Sequence, residues 1–304
     1  MRGQTCVACL GLLWAAVAWL PVRAEGEGSG SVGSGSAGTK AGEIRSDNGL
    51  EMELIWCPPG DLTMGSPLSE PGRDPDEAPV PVKLTRGFWL GQKEVTQSEW
   101  VRVMGTQPWQ GQLYVREEAT IPATWVSWTE ALEFARRLTA DEQKAGRLPA
   151  GWEYTLPTEA QWEWGCRAGT TTAYAFGESP ETLGEAAWFV GNAWDRDEKY
   201  PHPVGQKRAN AWGLHDLHGN VEEWCLDNYR KSRPGGADPL VTTTVTADRV
   251  IRGGTWCDRA SSCRTAYRVC RRAGSRSFCL GFRVVLGEVS PKVPANLPVG
   301  RGEK

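Results

Sequence analysis

Four of the nine cysteines crowd one short stretch, Cys257, Cys263, Cys270 and Cys279. Thiols at that density either pair as disulfides or are kept free for a special use. Just ahead of them run two glycine-punctuated, tryptophan-rich segments, NAWGLHDLHGNVEEW from Asn210 to Trp224 and RVIRGGTWC from Arg249 to Cys257. The first segment holds His215 and His218, which with His202 are the only histidines. A zinc site needs convergent ligands and an open position, and three dispersed histidines predict structural or surface roles instead. The acids Glu222, Glu223 and Asp227 suggest general-acid chemistry, but nothing in their spacing specifies a sugar substrate. Cation ligation or a solvated turn is the expectation there. The chain has no Ser-His-Asp order, no phosphate-binding loop and no dinucleotide-binding glycine pattern.

These residues must be carried by a frame, and the ends of the chain are set apart from it. Residues 1–24 read as a secretory signal: Arg2 is the positive start, Leu10 to Leu20 a short apolar run, and Val22-Arg23-Ala24 a small-residue cleavage site. The run is too short to span a bilayer. Export to the periplasm, cell envelope or exterior follows, with no transmembrane helix after cleavage. Removing those residues takes away Arg2 and Arg23, so the net charge of −3 becomes −5. No basic stripe points to nucleic acid. Cys6 and Cys9 go too, which leaves seven cysteines; in an oxidising compartment most should pair, and the odd number leaves at least one over. Residues 25–48 are expected to be a Gly/Ser-rich linker, 49–288 the folded domain, and 289–304 a disordered tail with three prolines.

Sixteen tryptophans beside 36 glycines and 20 prolines suit a loop-rich domain whose core is filled by large rings. Three helices are predicted from hydroxyl-x-x-Glu/Gln starts: Thr96 to Glu99, Ser127 to Glu130 and Thr158 to Gln161. Strand-like runs are short, at Glu51–Trp56, Val82–Leu84, Phe88–Leu90, Arg249–Ile251 and Phe282–Leu286. The predicted class is α+β with long irregular connections, and many backbone groups must find partners outside regular ladders.

Six segments, in order, resemble the sulfatase-modifying-factor family, whose best-known member is the formylglycine-generating enzyme. They are GFWLGQKEVTQSEW from Gly87, PATWVSWTEALEFARRL from Pro122, LPTEAQWEWGCRAGT from Leu156, HPVGQKRANAWGLHDLHGNVEEW from His202, RGGTW from Arg252 and LGFRVV from Leu280. The resemblance implies an irregular, loop-rich variant of the C-type-lectin fold.

It also implies oxidation of a cysteine in sulfatase-type polypeptides to formylglycine, at a copper(I) ion held by two cysteines. Two thiolates suit this soft ion and leave it open to substrate. The family places them six and eleven residues after the arginine of the Arg-Gly-Gly segment. Counted from Arg252, those positions hold Asp258, a hard ligand, and Cys263. Cys257 lies one residue early, so Cys263 and Cys257 are the candidate catalytic pair, with Cys263 the copper ligand. The resemblance further implies a calcium site using side-chain oxygens of Asp216 and Glu223 and backbone oxygens of Gly219 and Val221, with Gly219 letting the chain turn around the ion. A second family calcium site has Trp188 where an asparagine is expected. Finally, it implies a Cys166–Cys279 disulfide, with Cys257, Cys263 and Cys270 able to supply another. Two functions stay open at this point: a formylglycine-generating oxidase, or a non-oxidase member of the fold that binds protein or glycan.

Overall fold

The computed structural model describes residues 37–242 and 248–289; the signal segment and most of the C-terminal tail lie outside them. The chain runs β1 (Ile44–Arg45), β2 (Leu54–Cys57), β3 (Gly60–Met64), β4 (Val80–Leu84), β5 (Phe88–Gly91), α1 (Gln97–Met104), α2 (Trp128–Lys144), β6 (Trp152–Thr155), α3 (Glu159–Arg167), α4 (Leu183–Ala186), β7 (Glu222–Asn228), β8 (Gly236–Ala237), β9 (Asp248–Arg252), β10 (Val269–Arg272), β11 (Leu280–Gly281) and β12 (Val285–Glu288). The remaining described residues are turns, loops and three short 3-10 helices, as the composition predicts. Among the described residues no helix is long and apolar enough to cross a membrane.

All three predicted helix starts close as reciprocal caps. The hydroxyls of Thr96, Ser127 and Thr158 accept from the N–H groups of Glu99, Glu130 and Gln161, whose side chains reach back to the cap N–H. Each cap satisfies two donors that a helix start would otherwise leave bare. Helix α1 stops at Gly105, whose φ of 69° is the left-handed cap that glycine adopts without strain.

The described strands form three sheets, ordered β1-β2-β5-β12-β6, β10-β9-β7-β11 and β3-β4-β8. The C-terminal strand β12 lies between β5 and β6, antiparallel to both, so the end of the domain locks its beginning to its middle. Tryptophans fill the core as expected. Trp100 stacks on Phe134 at 5.8 Å with Phe282 edge-on to both rings. Trp128 gives its indole N–H to the Cys225 carbonyl at 2.9 Å and lies 3.7 Å beneath the Arg249 guanidinium.

Three expectations change. The folded unit begins before residue 49: β1 pairs with β2, and Gly42 and Glu43 exchange backbone bonds with Trp56, so part of the expected linker is an edge strand. The strand expected at Phe282–Leu286 begins only at Val285; Phe282 and Val284 direct their carbonyls to Val95 and Gly91 while the chain crosses from β11 to β12. Glu222, Glu223 and Asp227 do not form a solvated turn. They lie on β7, every residue of which is buried.

Candidate functional site

The loop after β9 carries the thiols, and a buried ion network holds its base. Arg252 donates to the carbonyls of Ala266 and Tyr267 at 2.9 and 2.7 Å and to that of Thr265 at 3.0 Å, drawing the far end of the loop against β9. Its carboxylate partners are Glu163 on α3, in contact, and Glu159 at 3.7 Å; Glu163 also takes Arg167 at 2.7 Å and the Gly65 N–H at 2.7 Å. Burial alone would push the Glu163 carboxyl up; Arg167, Arg252 and Arg233 outweigh it and hold the group at about 2. The loop can close only because Gly254 lacks a side chain. Its φ is 71°, and a Cβ there would meet the Ser262 carbonyl at 2.6 Å and the Cys263 sulfur at 3.0 Å.

Within this loop the two cysteines of the expected copper pair have different surroundings, one half-buried and one sealed. Cys263 is fully buried, and burial pushes its thiol well above the ordinary value. Its carbonyl is fixed by His218, whose Nδ1 lies 2.8 Å away while Nε2 accepts the Ala175 N–H at 3.1 Å, so the ring is neutral. Burial also lowers the His218 pKa to about 4. Asp258 stands where the family has its first cysteine, and its carboxylate turns inward to accept the Thr255 hydroxyl at 2.8 Å. Cys257, the half-buried neighbour, lies 3.2 Å from the same hydroxyl and faces Cys279. A hydrogen bond from Cys279 lowers the Cys257 thiol and raises that of Cys279. The donors present at the family's two positions are thus a hard, internally bonded carboxylate and a sealed thiol, which do not fit copper(I).

All seven described cysteines are free thiols. Cys166 does not bridge Cys279: helix α3 turns it inward to 3.8 Å from the Leu217 carbonyl, His218 Nε2 and Thr265 Oγ1, while Cys279 lies before β11 beside Cys257 and Ser277. Cys270 sits on β10 opposite Val250.

Two of the expected calcium donors, Asp216 and Glu223, lie with Glu94 around the Arg283 guanidinium. Glu223 gives both oxygens to Arg283 at 2.6 Å and accepts the Trp162 indole at 2.7 Å. Arg283 directs its other donors to the carbonyls of Gly91, Gln92 and His215. Gly219 permits close packing, since a Cβ would come within 2.1 Å of the Trp188 carbonyl. Asp216 accepts the Gly205 N–H at 2.7 Å, and its other oxygen has no donor. Beside it lies Glu94, 1% exposed, with both carboxylate oxygens also lacking a donor. At the second family calcium position, Trp188 is stacked on His202 at 3.8 Å, with the Lys207 ammonium 3.8 Å from its ring.

Sequence reasoning missed Glu94, the Cys257–Cys279 contact and the aromatic surface beside it. There Trp194 stacks on Trp256 at 5.6 Å, and Tyr114 and Phe278 meet at 5.0 Å. Tyr114 is 40% exposed and neighbouring Leu113 74%. These residues come from separate loops, so no local spacing marks them.

Known proteins supply the remaining comparison. A chaperone protein, LppX, of Paenibacillus barcinonensis is 27% identical over 221 residues, covering 59% of this chain and 73% of its own. The formylglycine-generating enzyme of Mycobacterium tuberculosis is 27% identical over 242 residues, 71% of each chain. PvdO from Pseudomonas aeruginosa shares the fold with a TM-score of 0.71 at 23% identity, over 83% of this chain and all of its own. The pattern of the sulfatase-modifying factor enzyme 1-like domain matches residues 40–287, and the chain therefore belongs to that family.

Proposed function

We propose that this chain is an exported, polypeptide-binding member of the family that does not oxidise sulfatase cysteines by the two-cysteine copper route. One observation carries the reading: Asp258 replaces the first thiol and is bonded to Thr255, while the second, Cys263, is sealed in the core. The surface beside this loop is suited to a polypeptide. Tyr114, Trp194 and Phe278 offer large rings of low conformational freedom packed on Trp256, the residue before half-buried Cys257, the composition of a binding hot spot. One similar protein carries the name of a chaperone, in keeping with such a ligand. Export rests on the apolar run from Leu10 to Leu20, outside the described residues.

A calcium ion belongs to the same reading, held by Asp216 and Glu94 rather than by Glu223. Three buried acceptor oxygens there lack donors. With Glu94 and Asp216 both ionised, the two together with Glu223 against Arg283 would leave two negative charges, which one divalent cation would neutralise.

Fluorescence anisotropy of a labelled, cysteine-containing sulfatase peptide tests the binding. Saturable binding is expected, weakened at least roughly tenfold by Trp194→Ala and unchanged by Cys263→Ser. Absence of binding, or equal binding by the Trp194→Ala protein, would overturn the reading.

A further inference from the structure

We infer that Cys257 and Cys279 form a thiol–disulfide exchange site whose substrate class is a cystine-type disulfide. The inference goes beyond polypeptide binding and does not depend on it. The backbone brings the two thiols together. Trp256 donates its N–H to the Asn220 carbonyl at 2.9 Å, and Glu222 donates to the Cys279 carbonyl at 2.8 Å. Residues adjoining or containing both cysteines are therefore pinned to positions two apart on one segment. Leu280, immediately after Cys279, pairs with Glu222 in the parallel β11–β7 ladder. Cys257 comes from the Arg252-anchored loop and Cys279 from the approach to β11, so the pair joins two segments far apart in sequence.

The two thiols differ in access, and that divides their roles. Cys257 is half-buried, within reach of a disulfide arriving over the Tyr114–Trp194 surface. Cys279 is 6% exposed and lies behind it, beside Ser277. The other thiols near the loop do not compete, since Cys263 is fully buried and Cys166 is enclosed by Leu217, His218 and Thr265.

The chemistry balances without a metal. The Cys257 thiolate, its proton given to solvent, attacks one sulfur of R–S–S–R. A Cys257–S–S–R bond forms, and the substrate S–S bond breaks to release R–S⁻. The Cys279 sulfur then loses its proton and attacks the Cys257 sulfur, forming the internal disulfide and releasing a second R–S⁻. The two cysteines lose two electrons, which the substrate disulfide gains; the two protons end on the released thiols. With a dithiol as substrate the sequence runs backwards.

Incubation of the full mature chain in buffers of graded reduced-to-oxidised glutathione ratio tests this, with differential alkylation and non-reducing peptide mapping as readout. The expected result is one reversible Cys257–Cys279 crosslink in the folded wild type, with Cys263 and Cys166 alkylated only after unfolding. Cys279→Ser should trap glutathione on Cys257, and Cys257→Ser should lose that adduct and leave Cys279 unmodified, with any remaining uptake confined to half-buried Cys270. If both cysteines stay separately alkylatable at every ratio, or if Cys257 links to Cys263, the site does not exist. Glutathione uptake undiminished in Cys257→Ser would reject the assigned order of attack. Because the wild-type map needs no variant, misfolding of either substitution leaves the test intact.

Discussion

Replacing Glu163 by glutamine removes the anion that fixes the thiol loop from below. Glu163 is fully buried; Arg167 lies 2.7 Å away, Arg252 is in contact, Arg233 is at 3.7 Å, and the side chains of Arg252 and Arg167 are 0% and 5% exposed. In Glu163→Gln the amide would keep one acceptor but leave Arg167 without its counter-charge, and Arg252 and Arg233 with only Glu159, at 3.7 and 3.9 Å. Removing one partner of a buried ion pair costs about 3–5 kcal/mol. The titration of the group gives a second route to the size. Holding a carboxyl at about 2 instead of its ordinary 4.5 corresponds to roughly 3 kcal/mol at neutral pH. For a domain of this size a loss of that order translates into a melting point lower by roughly 10 °C. The sign of the pH dependence is fixed as well. A lowered folded-state pKa contributes stability above 4.5 that is lost as pH falls toward 2. Thermal unfolding followed by tryptophan fluorescence between pH 7 and about pH 2.5 measures both quantities. The variant should start lower and lack wild type's share of acid destabilisation between those limits. Its Cys257 should also alkylate faster, since Arg252 would keep only the 3.7 Å contact to Glu159 on α3. A variant within about 1 kcal/mol of wild type at pH 7, with an unchanged acid profile, would refute the reasoning.

Three further outcomes are expected. Gly254→Ala must hold a φ of 71° and push against Ser262 and Cys263, costing about 2 kcal/mol or more in denaturant unfolding; a neutral effect would mean the loop is not closed. Trp128→Phe loses the bond to the Cys225 carbonyl and much of the Arg249 contact, a loss of roughly 1–3 kcal/mol by the same assay. Calcium added to chelator-treated protein should raise its melting point, by about 2.7 kcal/mol of stability when free ion is a hundredfold above Kd. Glu94→Gln should abolish the rise, and a wild type indifferent to calcium would remove the ion from the account.

Local signals carried much of the frame. Helix starts were legible because a capping box is written in four adjacent residues, and Thr96, Ser127 and Thr158 each close as those residues demand. Strand β7 was not legible, because EEWCLDN looks solvated until its partners are known. Glu223 is neutralised by Arg283, sixty residues away in sequence, and Asp227 accepts hydrogen bonds from the N–H groups of Glu159 and Val241. The same non-locality hid the site. Counting from Arg252 found Asp258 at once, but Cys279 was matched to Cys166 by family position, whereas the approach to β11 delivers it to Cys257. Glu94 gave no signal either, because one acid between Lys93 and Val95 reveals nothing of Asp216 across the core.

The central claim is that the donors at Asp258 and Cys263 do not support copper-dependent cysteine oxidation. Its most direct test is the mass of a cysteine-containing sulfatase peptide after incubation with oxygen, reductant and the Cu(I)-treated chain, beside an active formylglycine-generating enzyme as control. The account predicts that the control converts its peptide to formylglycine while the peptide given to this chain keeps its cysteine mass. Conversion by this chain, lost in Cys263→Ser, would contradict it.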